Sequence, residues 1–243
     1  MASLKKIAHR GASGEYPENT SLAFAKAIEA GADMIELDCQ LSRDGHVVVF
    51  HDERLTRTAG VRGAIRDKTL QELKRLDIGR WRKKIFSGER ILTLEEVLEL
   101  IAGNIDLCLE IKSYPNSPPG IELKLLFILS HYDYLDRTVV SSFDWRSLAR
   151  VRELAPEASL GIIFGSSKSA EPVSAAKALG AASIHVCKEL ASREFLQRVW
   201  NEGIDVYVWT VNDVCDMESF VALGVQGIIS DYPEKFWKLL ARH

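Results

Sequence analysis

The sequence has no run of apolar residues long enough to cross a bilayer as a helix, for which about 18 consecutive ones are needed. It has no charge excess of consequence either. With 31 basic and 34 acidic residues among 243, the formal net charge is −3, so no global field draws in nucleic acid or an anionic membrane, and any phosphate must be held by a local site. Cysteine is scarce: Cys39, Cys108, Cys187 and Cys215 lie far apart with no CxxC pair. That excludes a disulfide scaffold and points to a reducing compartment. The first three sit inside apolar runs, where a buried free thiol is expected. There is no early GxGxxG, no internal repeat and no low-complexity tract. The opening MASLKKIAHRG has no apolar core of a signal peptide, so the expected location is cytoplasmic.

What is present is an ordinary globular composition, 47% hydrophobic and 27% charged, in a chain of the length that α/β barrels reach as one domain. Short apolar or β-branched runs alternate with helical segments. Strands are expected at 4–9, 33–41, 105–112, 138–142, 159–164, 182–186, 205–210 and 226–230, with an extra extended piece at 46–50 after the turn signal RDG. Helices are expected at 19–30 (capped by Asn19 or Thr20), 93–102, 120–131, 144–154, 170–179, 192–202, 213–222 and 233–241. A doubly wound open sheet would show the same alternation and near-continuous apolar strands, but eight β-then-α units, the length and the lack of an early GxGxxG favour a (β/α)₈-type TIM barrel, a single domain over 1–243. One stretch breaks the rhythm. Residues 52–92 form a basic, loop-rich insertion with a short helix at 70–76, expected near the mouth where barrel ligands bind.

Groups at the C-terminal ends of barrel strands face a common mouth. Those ends carry His9-Arg10-Gly11, Glu36-Leu37-Asp38, His51-Asp52, Glu110-Ile111-Lys112 and Trp209-Thr210-Val211-Asn212. Strand side chains alternate, so Glu36 and Asp38 share a face and Glu110 and Lys112 likewise share a face, while Ile35, Leu37, Cys39, Leu109 and Ile111 turn outward. Three converging carboxylates need compensation, because unpaired buried charge costs several kcal/mol. Arg10, Lys112 and a divalent cation are the available compensators, and hard oxygen donors suit Mg²⁺, Ca²⁺ or Mn²⁺ better than zinc.

The run HRGASGEYPENTSLAFAKAIEAGADMIELDCQLSRDGHVVVFHDERLTRT, with LEIK, VWTVN and GIISDYP further on, resembles the signature of the glycerophosphodiester phosphodiesterase family. The resemblance implies a barrel enzyme that hydrolyses glycerophosphodiesters to glycerol 3-phosphate and an alcohol. It implies Glu36, Asp38 and Glu110 as ligands of one divalent cation and His9 and His51 as paired acid and base. It further implies Arg10 and Lys112 as phosphate-binding residues and Trp209 as an aromatic wall. The expected partner is a small-molecule glycerophosphodiester, with no nucleic acid and no stable membrane insertion; the sequence specifies no oligomer.

The alternative keeps the chemistry and changes the substrate to lysophospholipids, which require an apolar ramp beside the mouth. The insertion offers only Trp81, Ile85 and Phe86 amid Arg80, Arg82, Lys83 and Lys84, expected to be a solvated face with buried anchors. Trp209, Phe143 and Trp145 are candidates for a pocket around the alcohol.

Overall fold

The computed structural model describes residues 4–165 and 171–237. Its elements in chain order begin with β1 (Lys5–His9), α1 (Ser21–Glu29), β2 (Met34–Leu41), β3 (Val47–Val49), α2 (Thr56–Ala59), α3 (Leu70–Leu73), β4 (Leu92–Thr93), α4 (Leu94–Ile101) and β5 (Asp106–Ile111). They continue with α5 (Ile121–His131), β6 (Thr138–Ser142), α6 (Trp145–Leu154), β7 (Ser159–Phe164), α7 (Pro172–Leu179), β8 (Ser183–Cys187), α8 (Arg193–Trp200), β9 (Asp205–Trp209), α9 (Val214–Leu223) and β10 (Gly227–Ser230). Strands β1, β2, β5, β6, β7, β8, β9 and β10 pair in parallel in that order, and β1 pairs back onto β10. The sheet is therefore a closed TIM barrel. β2 runs on past the barrel and takes β3 as an antiparallel partner, which in turn pairs with β4.

The helix starts follow local capping chemistry. Thr20, Thr93, Asp144, Ser192 and Asp213 each accept a backbone N–H of the first turn, which satisfies donors that have no partner within the helix. Of the two candidate caps on the first helix, Thr20 takes the role, and Asn19 sits just outside it at φ 57. Residue 170 of the helix expected at 170–179 lies outside the described residues. Of the expected last helix, a 3₁₀ turn at Pro233–Lys235 and the two residues after it are described, and 238–241 lie outside.

Alternation sorts the strand side chains as expected. Ile35, Leu37, Cys39, Leu109 and Ile111 are buried outward against the helices in the main core. The insertion has a core of its own, in which Leu55, Ile65, Leu73, Ile78 and Ile91 pack on Val48 and Phe50. Its short helix is confined to Leu70–Leu73, closed by a capping box between Thr69 and Glu72.

Candidate active site

The mouth begins where β1 ends. Arg10 and Gly11 turn through positive φ (53 and 81), and a Cβ at Gly11 would lie 2.7 Å from the Ala23 carbonyl carbon, so only glycine fits there. The turn aims the Arg10 N–H at Glu36 Oε2 (3.0 Å). Glu36 and Asp38 project from β2 on one face, and Asp38 stands opposite Glu110 in the β2–β5 register. Ligand atoms of Glu36, Asp38 and Glu110 all lie within 4.8 Å of one another, and all three residues are buried.

Two cations serve this triad. Lys112 Nζ donates to Glu110 Oε1 (2.7 Å) and lies 3.1 Å from Asp38 Oδ1. Arg10 Nε lies 3.4 Å from Asp38 Oδ2, while its Nη1 donates to Glu18 (2.9 Å). Asn19 Nδ2 donates to Asp38 Oδ2 (2.8 Å). Burial alone would raise Asp38, but Lys112 and Arg10 hold its carboxyl below the usual range. The other two are not rescued. Burial, then Asp38 and Glu110, push Glu36 well above the carboxylate range, and burial pushes Glu110 to about 7. Asp38 Oδ1 is buried and accepts no hydrogen bond despite its ion-pair distance to Lys112. Three clustered oxygen donors with more negative charge than the protein neutralises fit a hard divalent cation.

The histidines stand at the edge of the same pocket. His9 Nδ1 lies 2.6 Å from Asp231 Oδ1 and His51 Nδ1 lies 2.7 Å from Asp52 Oδ1. An ionised carboxylate only accepts, so each Nδ1 carries hydrogen and each Nε2 stands outside that bond. His9 Nε2 is 3.9 Å from Glu36 Oε2. Burial lowers the pKa of His51, with Arg10 and Lys112 adding to the effect against Asp38 and Asp52.

These groups line an open pocket of about 150 Å³. His9, Arg10, Glu36, His51, Glu110 and Lys112 form its charged side, and Phe143, Ile163, Trp209 and Ile229 form an apolar side. Asp38 stands behind the wall, 1% exposed. Phe143 and Trp209 meet edge to face with centroids 5.8 Å apart. Trp145 is not among the lining residues, because its Nε1 donates back to the Ile163 carbonyl (3.4 Å).

The chain matches the family model described as glycerophosphoryl diester phosphodiesterase over residues 9–235. It belongs to that family. A glycerophosphodiester phosphodiesterase of Caldanaerobacter subterraneus is 42% identical over 237 residues, 97% of each chain. A Bacillus subtilis protein described as a putative glycerophosphodiester phosphodiesterase is 40% identical over 94% of each. Among solved structures, an Oleispira antarctica phosphodiesterase in complex with the product sn-glycerol-3-phosphate superposes with a TM-score of 0.89 at 31% identity. That match covers 97% of this chain and 96% of the other.

Several residues of this site were not singled out from sequence. Asp231 and Ser13 build the support of His9 together with Asn212, which the strand-end rule places at the mouth: Asn212 Nδ2 donates to Asp231 Oδ2 (2.6 Å) and Ser13 Oγ to Asp231 Oδ1 (2.9 Å). Asp231 follows β10, so the strand-end rule that found His9 also reaches it. Glu18 and Arg57 carry no comparable signal, since their pairing spans 39 positions. His185 forms part of the pocket floor and is buried, with burial lowering its pKa to about 3. The insertion contributes no residue of 52–92 to the pocket lining. Its expected apolar anchors need correction: Ile85 is 83% exposed and Trp81 37% exposed. Only Phe86 is half-buried, packed at 5.8 Å on Tyr16.

Proposed function

We propose that this chain hydrolyses glycerophosphodiesters to sn-glycerol 3-phosphate and an alcohol, with His9 and His51 as acid and base. The observation that carries the reading is one pocket holding two histidines, each fixed through Nδ1 by a carboxylate, beside a buried carboxylate triad. Arg10 and Lys112 hold the phosphate monoanion and oppose the charge that grows on its oxygens. A divalent cation (Mg²⁺, Ca²⁺ or Mn²⁺) held by Glu36, Asp38 and Glu110 would supply Lewis-acid neutralisation of a phosphoryl oxygen.

His51, whose pKa burial lowers, presents an unprotonated Nε2 and takes the proton from the attacking oxygen. That oxygen is either the glycerol 2-hydroxyl, which gives a cyclic phosphate opened by water in a second step, or water itself. His9 delivers a proton to the leaving alkoxide, and on the cyclic route the two rings exchange roles as the cycle opens. Phe143 and Trp209 offer flat apolar faces to the alcohol. A lysolipid would need a longer apolar path, and neither Trp81, Ile85 nor Phe86 lines the pocket.

Release of glycerol 3-phosphate from glycerophosphocholine, set beside release from lysophosphatidylcholine, tests the substrate. Faster turnover of the short diester supports the reading. Turnover of the lysolipid alone would move the assignment to a lysophospholipase D-like enzyme, and turnover of neither would remove both.

A further inference from the structure

The outer tip of the insertion carries four cations in five residues, Arg80, Arg82, Lys83 and Lys84, around Trp81 and followed by Ile85. Its shape is fixed from within. Asp77 Oδ1 accepts the N–H groups of Gly79 and Arg80 (both 2.9 Å), and Oδ2 accepts Ser87 Oγ (2.6 Å) and Gly88 N (2.9 Å). One carboxylate thus closes both ends of the tip. Gly79 completes the closure, since a Cβ there would sit 1.9 Å from the Phe86 carbonyl oxygen. The loop is held rigidly in a form that turns its basic and apolar side chains outward.

Trp81 lies under the Arg57 guanidinium, 5.3 Å from the ring centroid, while three of the cations have no charged partner among the described residues. Elsewhere in the insertion Arg66 pairs with Glu53 and Lys74 with Glu96. Arg80, Lys83 and Lys84 are exposed and make no ion pair among the described residues. Ile85 is the most exposed of the large hydrophobic residues described. Arg82 alone turns inward, donating to the Gly14 carbonyl. With Phe86 on Tyr16, this joins the tip to the loop after β1. A cleft of about 400 Å³ between tip and barrel is bordered by Gly14, Glu15 and Tyr16, and by Tyr232 in the turn after β10. Both turns lie at the C-terminal ends of barrel strands, so the tip stands on the same end of the molecule as the pocket.

We propose that this tip docks on an anionic lipid surface, with Arg80, Lys83 and Lys84 against the headgroup charges and Ile85 and the exposed part of Trp81 in the interface. Charge complementarity selects an anionic partner, and the isoleucine selects lipid over nucleic acid. A phosphate backbone gains nothing from a projecting aliphatic side chain, whereas a bilayer interface takes it up. The attraction is local, since the whole chain carries a net charge of −3. Binding is accordingly weak and reversible, and it brings the pocket end of the barrel to the membrane face. The inference goes beyond the proposed reaction and needs no turnover.

Co-sedimentation of the full chain with vesicles tests it. Vesicles containing phosphatidylglycerol should pull the protein down and pure phosphatidylcholine vesicles should not, with binding lost at high salt. Each neutralised lysine should weaken partitioning about fivefold, so Lys83→Gln with Lys84→Gln should lower it by roughly 25-fold. Ile85→Ser should lower it by about tenfold at unchanged charge. All variants should keep wild-type thermal unfolding, which separates lost docking from lost fold. Sedimentation that ignores lipid charge would overturn the proposal. So would anionic binding that Ile85→Ser leaves intact and a single-stranded oligonucleotide displaces, which would make the tip a general polyanion face.

Discussion

The two sides of the mouth hold a histidine in the same way and support it by different means. His9 stands on the seam where the barrel closes, and its carboxylate partner comes from the far end of the chain, 222 positions away. Asp231 is held by neutral groups: Ser13 Oγ, Asn212 Nδ2, and its own N–H donating to Asn212 Oδ1 (2.9 Å). His51 stands where the insertion leaves the barrel, and its partner is the next residue. Asp52 is held by charge: Arg57 Nε donates to its Oδ2 (2.7 Å) and Nη2 to its Oδ1 (2.9 Å). The same guanidinium donates twice to Glu18 (both 2.7 Å), which also accepts from Arg10. One imidazole is thus fixed by barrel turns through amides and hydroxyls, the other by an ionic chain that ties the insertion to Arg10. Neutral hydrogen bonds are insensitive to salt, and part-exposed ion pairs are screened by it.

The largest effects fall on the rings themselves. His9→Ala and His51→Ala should each lower kcat by about 10²–10⁴ with unchanged thermal unfolding; near-wild-type turnover in either variant would remove that ring from the acid–base pair. Next come the carboxylates. Asp231→Asn and Asp52→Asn should each cost about 10–100-fold in kcat, as loss of groups that fix a ring's tautomer and orientation does, with little change in KM.

Arg57 separates the two sides. Arg57→Ala should lower kcat by about tenfold and raise KM, since it frees both Asp52 and the Glu18–Arg10 pair, and Arg57→Lys should restore only part of the loss. Asn212→Ala should lower kcat and spare KM. Equal salt dependence of wild type and Arg57→Ala turnover would contradict the ionic account.

The smallest expected effect is on acid stability. Burial would raise Asp231 and Asp52, but contacts with His9, Asn212 and Ser13 hold Asp231, and Arg57 with His51 holds Asp52, down to about 2 from 3.8. A depressed carboxylate stabilises the fold above its unfolded value, and that stability is lost as pH falls from about 4 to about 2. Denaturant unfolding should therefore show the wild type ahead of Asp231→Asn at neutral pH, with the gap closing through that window.

How far the site was legible follows from the same comparison. Strand periodicity and the strand-end rule reach His9, Glu36, Asp38, His51, Glu110 and Lys112, because each needs only its own strand to set its direction. Alternation likewise separates Glu36 and Asp38 from Leu37. Asp231 and Asn212 stand at strand ends too, yet their work depends on a closure that brings β10 beside β1, which no local pattern states. Arg57 and Glu18 are less legible still. Both lie in loops, where side-chain direction is set by tertiary packing rather than by a period. The same reason hides the shape of the tip at Asp77–Gly88: the basic run is plain in the sequence, but the carboxylate that turns it outward is read only from its four hydrogen bonds.

If Glu36, Asp38 and Glu110 hold a divalent cation beside His9 and His51, removing the ion stops the proposed reaction. Chelator-stripped protein should release no glycerol 3-phosphate from glycerophosphocholine. Mg²⁺, Ca²⁺ or Mn²⁺ should restore release in the wild type but not in Glu110→Gln, with both chains unfolding at comparable temperature in the presence of the ion. Full turnover after stripping, with no response to any of the three ions, would contradict the account.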